Sequence, residues 1–274
     1  MKIPSPFTSI DPEGHDDDHE QNRHRNTIPI RYLIPNIVTV LAICAGVTSI
    51  RLAFEGRFEH AVMLIIIAAV LDGIDGRIAR MLNASSPFGV QMDSLADVIN
   101  FGVAPALIVY SYILNDAKQI GWVAALIYCI ACCLRLARFN VMTESKAQEG
   151  WKKNYFVGVP APAGALLVLL PVYVGSLTFE SSAIWGWVFS FYTFIIAFLL
   201  VSRLPVWSGK TLGRKLRRDL VAPVLLGLVA YIGFLALLPW KTLLLTTIAY
   251  LIFLPTSAHF YHKRVLEEEE KDND

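Results

Sequence analysis

The chain has 274 residues, 55% of them hydrophobic and 17% charged, with a formal net charge of +1. Water-soluble domains carry about a quarter charged residues, and here the apolar residues gather in long blocks, which excludes an ordinary soluble fold. The near-zero total offers no argument for nucleic acid, and none is expected as a partner; where the charges sit says more.

In chain order, residues 1–30 come first: polar, rich in Asp, His and Arg, and without the apolar stretch of a secretory signal. This composition predicts a disordered tail, and His15, Asp16, Asp17, Asp18 and His19 are read as part of it rather than as a metal site. A helix needs about 20 apolar residues to cross the hydrocarbon core. Eight stretches qualify, near 33–53, 60–80, 94–114, 120–139, 157–177, 183–204, 219–239 and 242–261. The expectation is an all-α integral membrane domain over 31–261, followed by a short charged tail over 262–274 that includes Glu267 to Glu270. Cys44, Cys129, Cys132 and Cys133 all fall inside apolar blocks, where packing between helices accounts for them better than a redox or metal role.

The basic residues test this count. With the N-terminus inside, 20 of the 24 Lys and Arg fall in cytoplasmic segments and only Arg51, Arg57, Lys118 and Lys241 fall outside. That asymmetry is the one cytoplasmic loops should show. Eight spans place both termini on the cytoplasmic side.

Asp72, Asp75, Asp93 and Asp97 lie in or beside the second and third spans. Carboxylates at membrane depth are costly and usually face a cavity where they do chemistry. Asp72 and Asp75 are three apart and Asp93 and Asp97 four apart, so each pair shares a helix face. A tight connection holding Asn83, Ser85, Ser86 and Pro87 brings the two pairs together. Ion pairs with Arg77 and Arg80 would leave negative charge unmatched, so a cation between the carboxylates is expected. An all-oxygen site suits Mg²⁺ or Mn²⁺. Gly73, Gly76 and Gly89 remove side chains beside the acids, and Arg80 offers a guanidinium fork for phosphate. Metal and phosphate together point to phosphoryl-type transfer.

From Asp72 to Asp97 the chain reads D-x2-D-G-x2-A-R-x8-G-x3-D-x3-D, with eight fixed residues over 26 positions. This resembles the signature of the CDP-alcohol phosphotransferase family. The likeness extends to Pro35-Asn36-Ile37-Val38-Thr39 in the first span. It implies a six-helix core, the last two of the eight spans being additions, and a homodimer. It also implies that Asp72, Asp75 and Asp93 hold metal, with Asp97 a further ligand or the base that activates an acceptor hydroxyl. Asn36, Thr39, Gly76, Ala79, Arg80, Ser86 and Gly89 would contact the CDP-lipid.

Asn100 to Ala106, Leu134 to Asn140 and Phe156 to Pro162 are similar to stretches of the branch that makes phosphatidylserine, although Val159 and Ala161 depart from the commoner form of the third. The implied substrates are CDP-diacylglycerol and serine, in a bacterial inner membrane, with lipid around the protein. Arg135, Arg138 and Asn140 are candidates for the acceptor or a phosphate; alternatively the two arginines mark the cytoplasmic interface. Glycerol 3-phosphate, inositol phosphate or choline remain alternative acceptors, and a cation transporter is the alternative from another class.

Overall fold

The computed structural model describes residues 30–82, 86–144, 155–178, 183–207 and 218–272. The N-terminal tail, Asn83, Ser85, Lys146, Lys152, Lys153, Arg214, Lys215 and Arg217 lie outside the described residues.

Helix α1 (Ile30–Phe54) and helix α2 (Phe58–Met81) form a closely packed hairpin. Its turn is a Schellman cap: Gly56, at φ +77°, donates to the Ala53 carbonyl, and Arg57 donates to that of Leu52. A residue without Cβ takes this left-handed position at no steric cost.

The third span begins seven residues before the expected 94. Helix α3 (Pro87–Asp97) starts where the Ser86 hydroxyl accepts from the Gly89 backbone N–H at 3.0 Å, with Pro87 in the first helical position. These are standard start signals. The span continues through a π-helical segment, Val98–Val103, into α4 (Ala104–Tyr112). The buried Tyr128 hydroxyl donates to the Phe101 carbonyl of the π segment at 2.9 Å. A 3₁₀ turn, Leu114–Ala117, leads to α5 (Gln119–Glu144).

The fifth span is not one helix over 157–177. A strand β1 (Tyr155–Val157) precedes two short helices, α6 (Ala161–Val168) and α7 (Leu170–Thr178). Pro162 is tolerated at the start of α6, whereas Pro171 lacks the N–H needed to continue one helix across Leu169. Helix α8 (Ala183–Val201) ends short of 204, and β2 (Pro205–Trp207) pairs antiparallel with β1, Phe156 opposite Val206. Helix α9 (Arg218–Leu237) follows. Helix α10 (Pro239–Asp272) runs on through the charged segment instead of stopping at 261, because its Lys and Glu residues are good helix formers.

The chain is nearly all helical, as expected, and the β1–β2 ladder is the departure. Five described helices are long and apolar enough to cross a membrane, and the α6–α7 pair and α9 supply shorter apolar stretches. Helix α2 has the length but carries Asp72, Asp75, Arg77 and Arg80 in its last ten residues. Together these fill the eight expected places. Helices satisfy their own backbone hydrogen bonds, which lipid cannot do for them. The core centres on Ile65, Phe101, Ile108, Tyr128, Leu167 and Tyr173, whereas Leu225, Leu226, Val229 and Ile232 of α9 are exposed, as on a face solvated by acyl chains. Cys132 is buried against Gly102, and the four thiols are free.

Candidate active site

The hairpin α1–α2 and the N-terminal turns of α3 meet at one end of the bundle. There Asp72, Asp75 and Asp93 each offer a carboxylate oxygen within 4.8 Å of the other two. The spacing along α2 puts the first two on one face, and the Ser86 cap turns α3 so that Asp93 faces them. Asp75 is only 3% exposed; its Oδ2 accepts from the Thr39 hydroxyl at 2.7 Å, while its Oδ1 is buried and has no partner among the described residues.

Asp97 stands one turn further along α3. It lies within hydrogen-bond reach of Asp72 and in the field of Arg135 on α5, and its Oδ1 is also buried without a described partner. The four aspartates therefore divide into a compact triad and a fourth beside it. Neither Arg77 nor Arg80 forms an ion pair with them among the described residues, so simple charge pairing does not account for the cluster.

Close carboxylates with unpartnered buried oxygens fit a hard divalent cation, which takes oxygen ligands and is bound through one or two carboxylates plus substrate phosphates. Zinc would favour nitrogen or sulfur, and neither is in the triad.

Beside the triad an open groove is lined by Asn36, Thr39, Gly76, Ala79, Arg80, Ser86 and Gly89, together with Pro35, Asp75, Val90 and Asp93. All seven residues expected to touch a CDP-lipid thus lie in one place. A Cβ on Gly76 would meet nothing within 4 Å, leaving space against the backbone of α2. Gly89 lies close to Asn36 and Ser86, where a Cβ would stand 3.1 Å from the Asn36 side-chain oxygen.

Comparison with known proteins identifies the family. The model of the CDP-alcohol phosphatidyltransferase family matches residues 32–199, from α1 to the end of α8. The chain belongs to that family. It is 38% identical over 242 residues to the CDP-diacylglycerol--serine O-phosphatidyltransferase of Mycobacterium leprae, covering 86% of this chain and 78% of that protein. The Mycobacterium tuberculosis protein of the same name is 39% identical over 232 residues, 81% of this chain and 77% of its own length. That of Helicobacter pylori is 43% identical over 141 residues, 52% of this chain and 57% of its own. As a member of the family the chain is a membrane transferase, and α9 and α10 fall outside the matched segment, as expected of additions to a six-helix core.

The three acceptor candidates of this phosphatidyltransferase separate. Arg135 stands over the Phe139 ring at 5.6 Å, with Asp97 within range of its charge. Arg138 donates from Nη1 to the carbonyls of Val201 at 2.8 Å and Ser202 at 3.4 Å, closing the C-terminal end of α8. Asn140 donates from Nδ2 to the Ser94 hydroxyl, 2.9 Å away on α3. Sequence reasoning passed over Ser94, although it adjoins Asp93. Asn100, named from the sequence only as the start of the Asn100 to Ala106 stretch and given no role, is fully buried, has both side-chain polar atoms unpartnered among the described residues, and presses its amide oxygen to Gly46. Its place in the π segment was not visible in a continuous apolar run.

Proposed function

We propose that the chain transfers the phosphatidyl group of CDP-diacylglycerol to the hydroxyl of L-serine, giving phosphatidylserine and CMP. The observation that carries this is the convergence of Asp72, Asp75 and Asp93 beside a groove lined by the seven signature and first-span residues. The choice of serine rests on the activity for which the relatives that align with most of the chain are named.

The triad would hold Mg²⁺ or Mn²⁺, with Asp97 within reach of Asp72 as a further ligand or the base. A bound divalent ion supplies Lewis-acid neutralisation of the diphosphate and the departing CMP. The chain's own residues do the rest. Arg80, exposed at the groove, binds the diphosphate through its guanidinium, while Gly76 and Ala79 leave room for the cytidine. Asn36 and Thr39 fix the opposite wall, and Thr39 also holds Asp75 in position. Asp97 accepts the proton of the serine hydroxyl. The hydroxyl oxygen forms a bond to the phosphorus bearing diacylglycerol as the bond from that phosphorus to the CMP oxygen breaks. Direct attack is favoured because none of the eight fixed residues of the signature is a Ser, Cys or His that could carry an intermediate.

The distribution of basic residues supports a groove on the cytoplasmic side with both termini inside, and the family resemblance supports a bacterial inner membrane and a homodimer. The test is CMP release and product separation with purified chain, CDP-diacylglycerol and a panel of labelled alcohols. Phosphatidylserine as the main product is expected. A main product from glycerol 3-phosphate, inositol phosphate or choline would overturn the assignment of serine.

A further inference from the structure

A side-chain bridge joins the end of α5 to the helix that carries Asp93. Asn140 donates from Nδ2 to the Ser94 hydroxyl at 2.9 Å, and that hydroxyl donates in turn to the Val90 carbonyl at 3.1 Å. The Ser94 oxygen is thereby engaged as acceptor and donor together. Val90, Ser94 and Asp97 stand at i, i+4 and i+7 along one face of α3, and Asp93 is the residue before Ser94. Val90 and Asp93 both line the groove.

Helix α3 needs such a restraint. Its backbone packs on α1 but comes close to α2 at few points. Asp93 therefore reaches Asp72 and Asp75 by its side chain rather than by close packing of the two helices, and like charges would drive them apart. Helix α5 is placed to resist this. It packs along α8, and Arg138, two residues before Asn140, fastens the two helices by its bonds to the Val201 and Ser202 carbonyls. Tyr128 ties α5 to the π segment that follows α3. The backbones of α3 and α5 also approach at few points, so the Asn140–Ser94 bond spans two helices that do not pack closely.

We propose that Asn140 is a positioning residue for the aspartate triad, holding Asp93 in place opposite Asp72 and Asp75 through Ser94. This role rests on the reading of the triad as a divalent-metal site. It also separates Asn140 from the acceptor, since the amide is engaged by the protein's own hydroxyl. Groups that support metal ligands from behind fix the ligands' orientation, and their loss weakens the hold on the ion without touching it.

The experiment measures Mn²⁺ binding to the full chain in detergent micelles without substrates, from the loss of the free ion's electron paramagnetic resonance signal. Asn140→Ala should bind Mn²⁺ about tenfold more weakly than wild type, the scale of losing a support behind a metal ligand. Ser94→Ala should lose the same amount, and the double variant no more than either alone, because one bridge is broken in all three. At saturating Mn²⁺ the KM for serine in Asn140→Ala should stay within about twofold of wild type. Unchanged Mn²⁺ affinity in Asn140→Ala, or losses that multiply in the double variant, would overturn the positioning role while leaving the metal site. A higher KM for serine with normal Mn²⁺ affinity would do the same and return Asn140 to the acceptor. A wild-type chain that binds no Mn²⁺ would overturn both readings. Ser94→Ala introduces a better helix former, so it keeps the test available if Asn140→Ala does not fold: normal Mn²⁺ affinity there would also count against the bridge.

Discussion

Gly76 and Gly158 show how one residue type serves two regions of the molecule differently. Around Gly76 there is open space, and the groove passes over the bare backbone of α2. Gly158 sits at φ +85°, and a Cβ there would lie 2.9 Å from the carbonyl oxygens of both Leu200 and Ser202. Arg138 donates to the Ser202 carbonyl as well, and the β1–β2 ladder flanks the same turn. The first region is built to admit a ligand and the second to leave no room. Arg135 and Arg138 repeat the lesson three residues apart: one lies within electrostatic range of Asp97, and the other closes the end of α8.

The largest effect that would break this contrast lies in the open region. Asp75→Asn or Asp93→Asn should lower CMP release by about 10³-fold, the scale of losing a principal electrostatic group at a reacting centre. The unfolding temperature of the metal-free protein should not fall, because one of several repelling charges is removed. A variant with near-normal turnover would remove the triad from the reaction. Chelation with EDTA should abolish turnover in the wild type, and Mg²⁺ or Mn²⁺ should restore it; activity that survives chelation would contradict a metal-holding triad.

In the packed region the effect should move to stability. Gly158→Ala should cost about 2 kcal/mol or more, from the left-handed backbone and the two crowded carbonyls. Arg138→Ala should cost about 1.5–3 kcal/mol through its charge-assisted hydrogen bonds. In both, thermal unfolding should shift while turnover per folded molecule stays near wild type. A selective rise in the KM for serine in Arg138→Ala would return that arginine to the acceptor site.

The smallest effect sharpens the comparison most. Gly76→Ala should raise the KM for CDP-diacylglycerol about tenfold, since a methyl enters the space the ligand uses. Stability should hold or rise by up to about 1 kcal/mol, from better helix propensity with no clash. Loss of stability without a change in KM would show that the groove is not where the nucleotide passes.

Much of this was legible beforehand because it is local. Apolar blocks of membrane-spanning length, the basic residues at their ends, and aspartates at helical spacing are properties of one segment or of two neighbours. The start of α3 at Pro87 was legible too, in Ser86-Pro87 with its cap, but was read only as part of a connection. The β1–β2 pair was not, because each strand is three residues long and forms only once α6 to α8 have brought residues 155 and 207 together.

The sequence by itself determined the class of molecule and the pairing of the aspartates, because burial in lipid forces helices and helical spacing fixes which neighbours share a face; the groove residues around them followed from the family resemblance. Only the tertiary structure separated Asp97 from the triad and split Arg135 from Arg138. Those outcomes depend on which helices pack together, and contacts between residues tens of positions apart, such as Arg138 with Val201, leave no periodic trace in the chain.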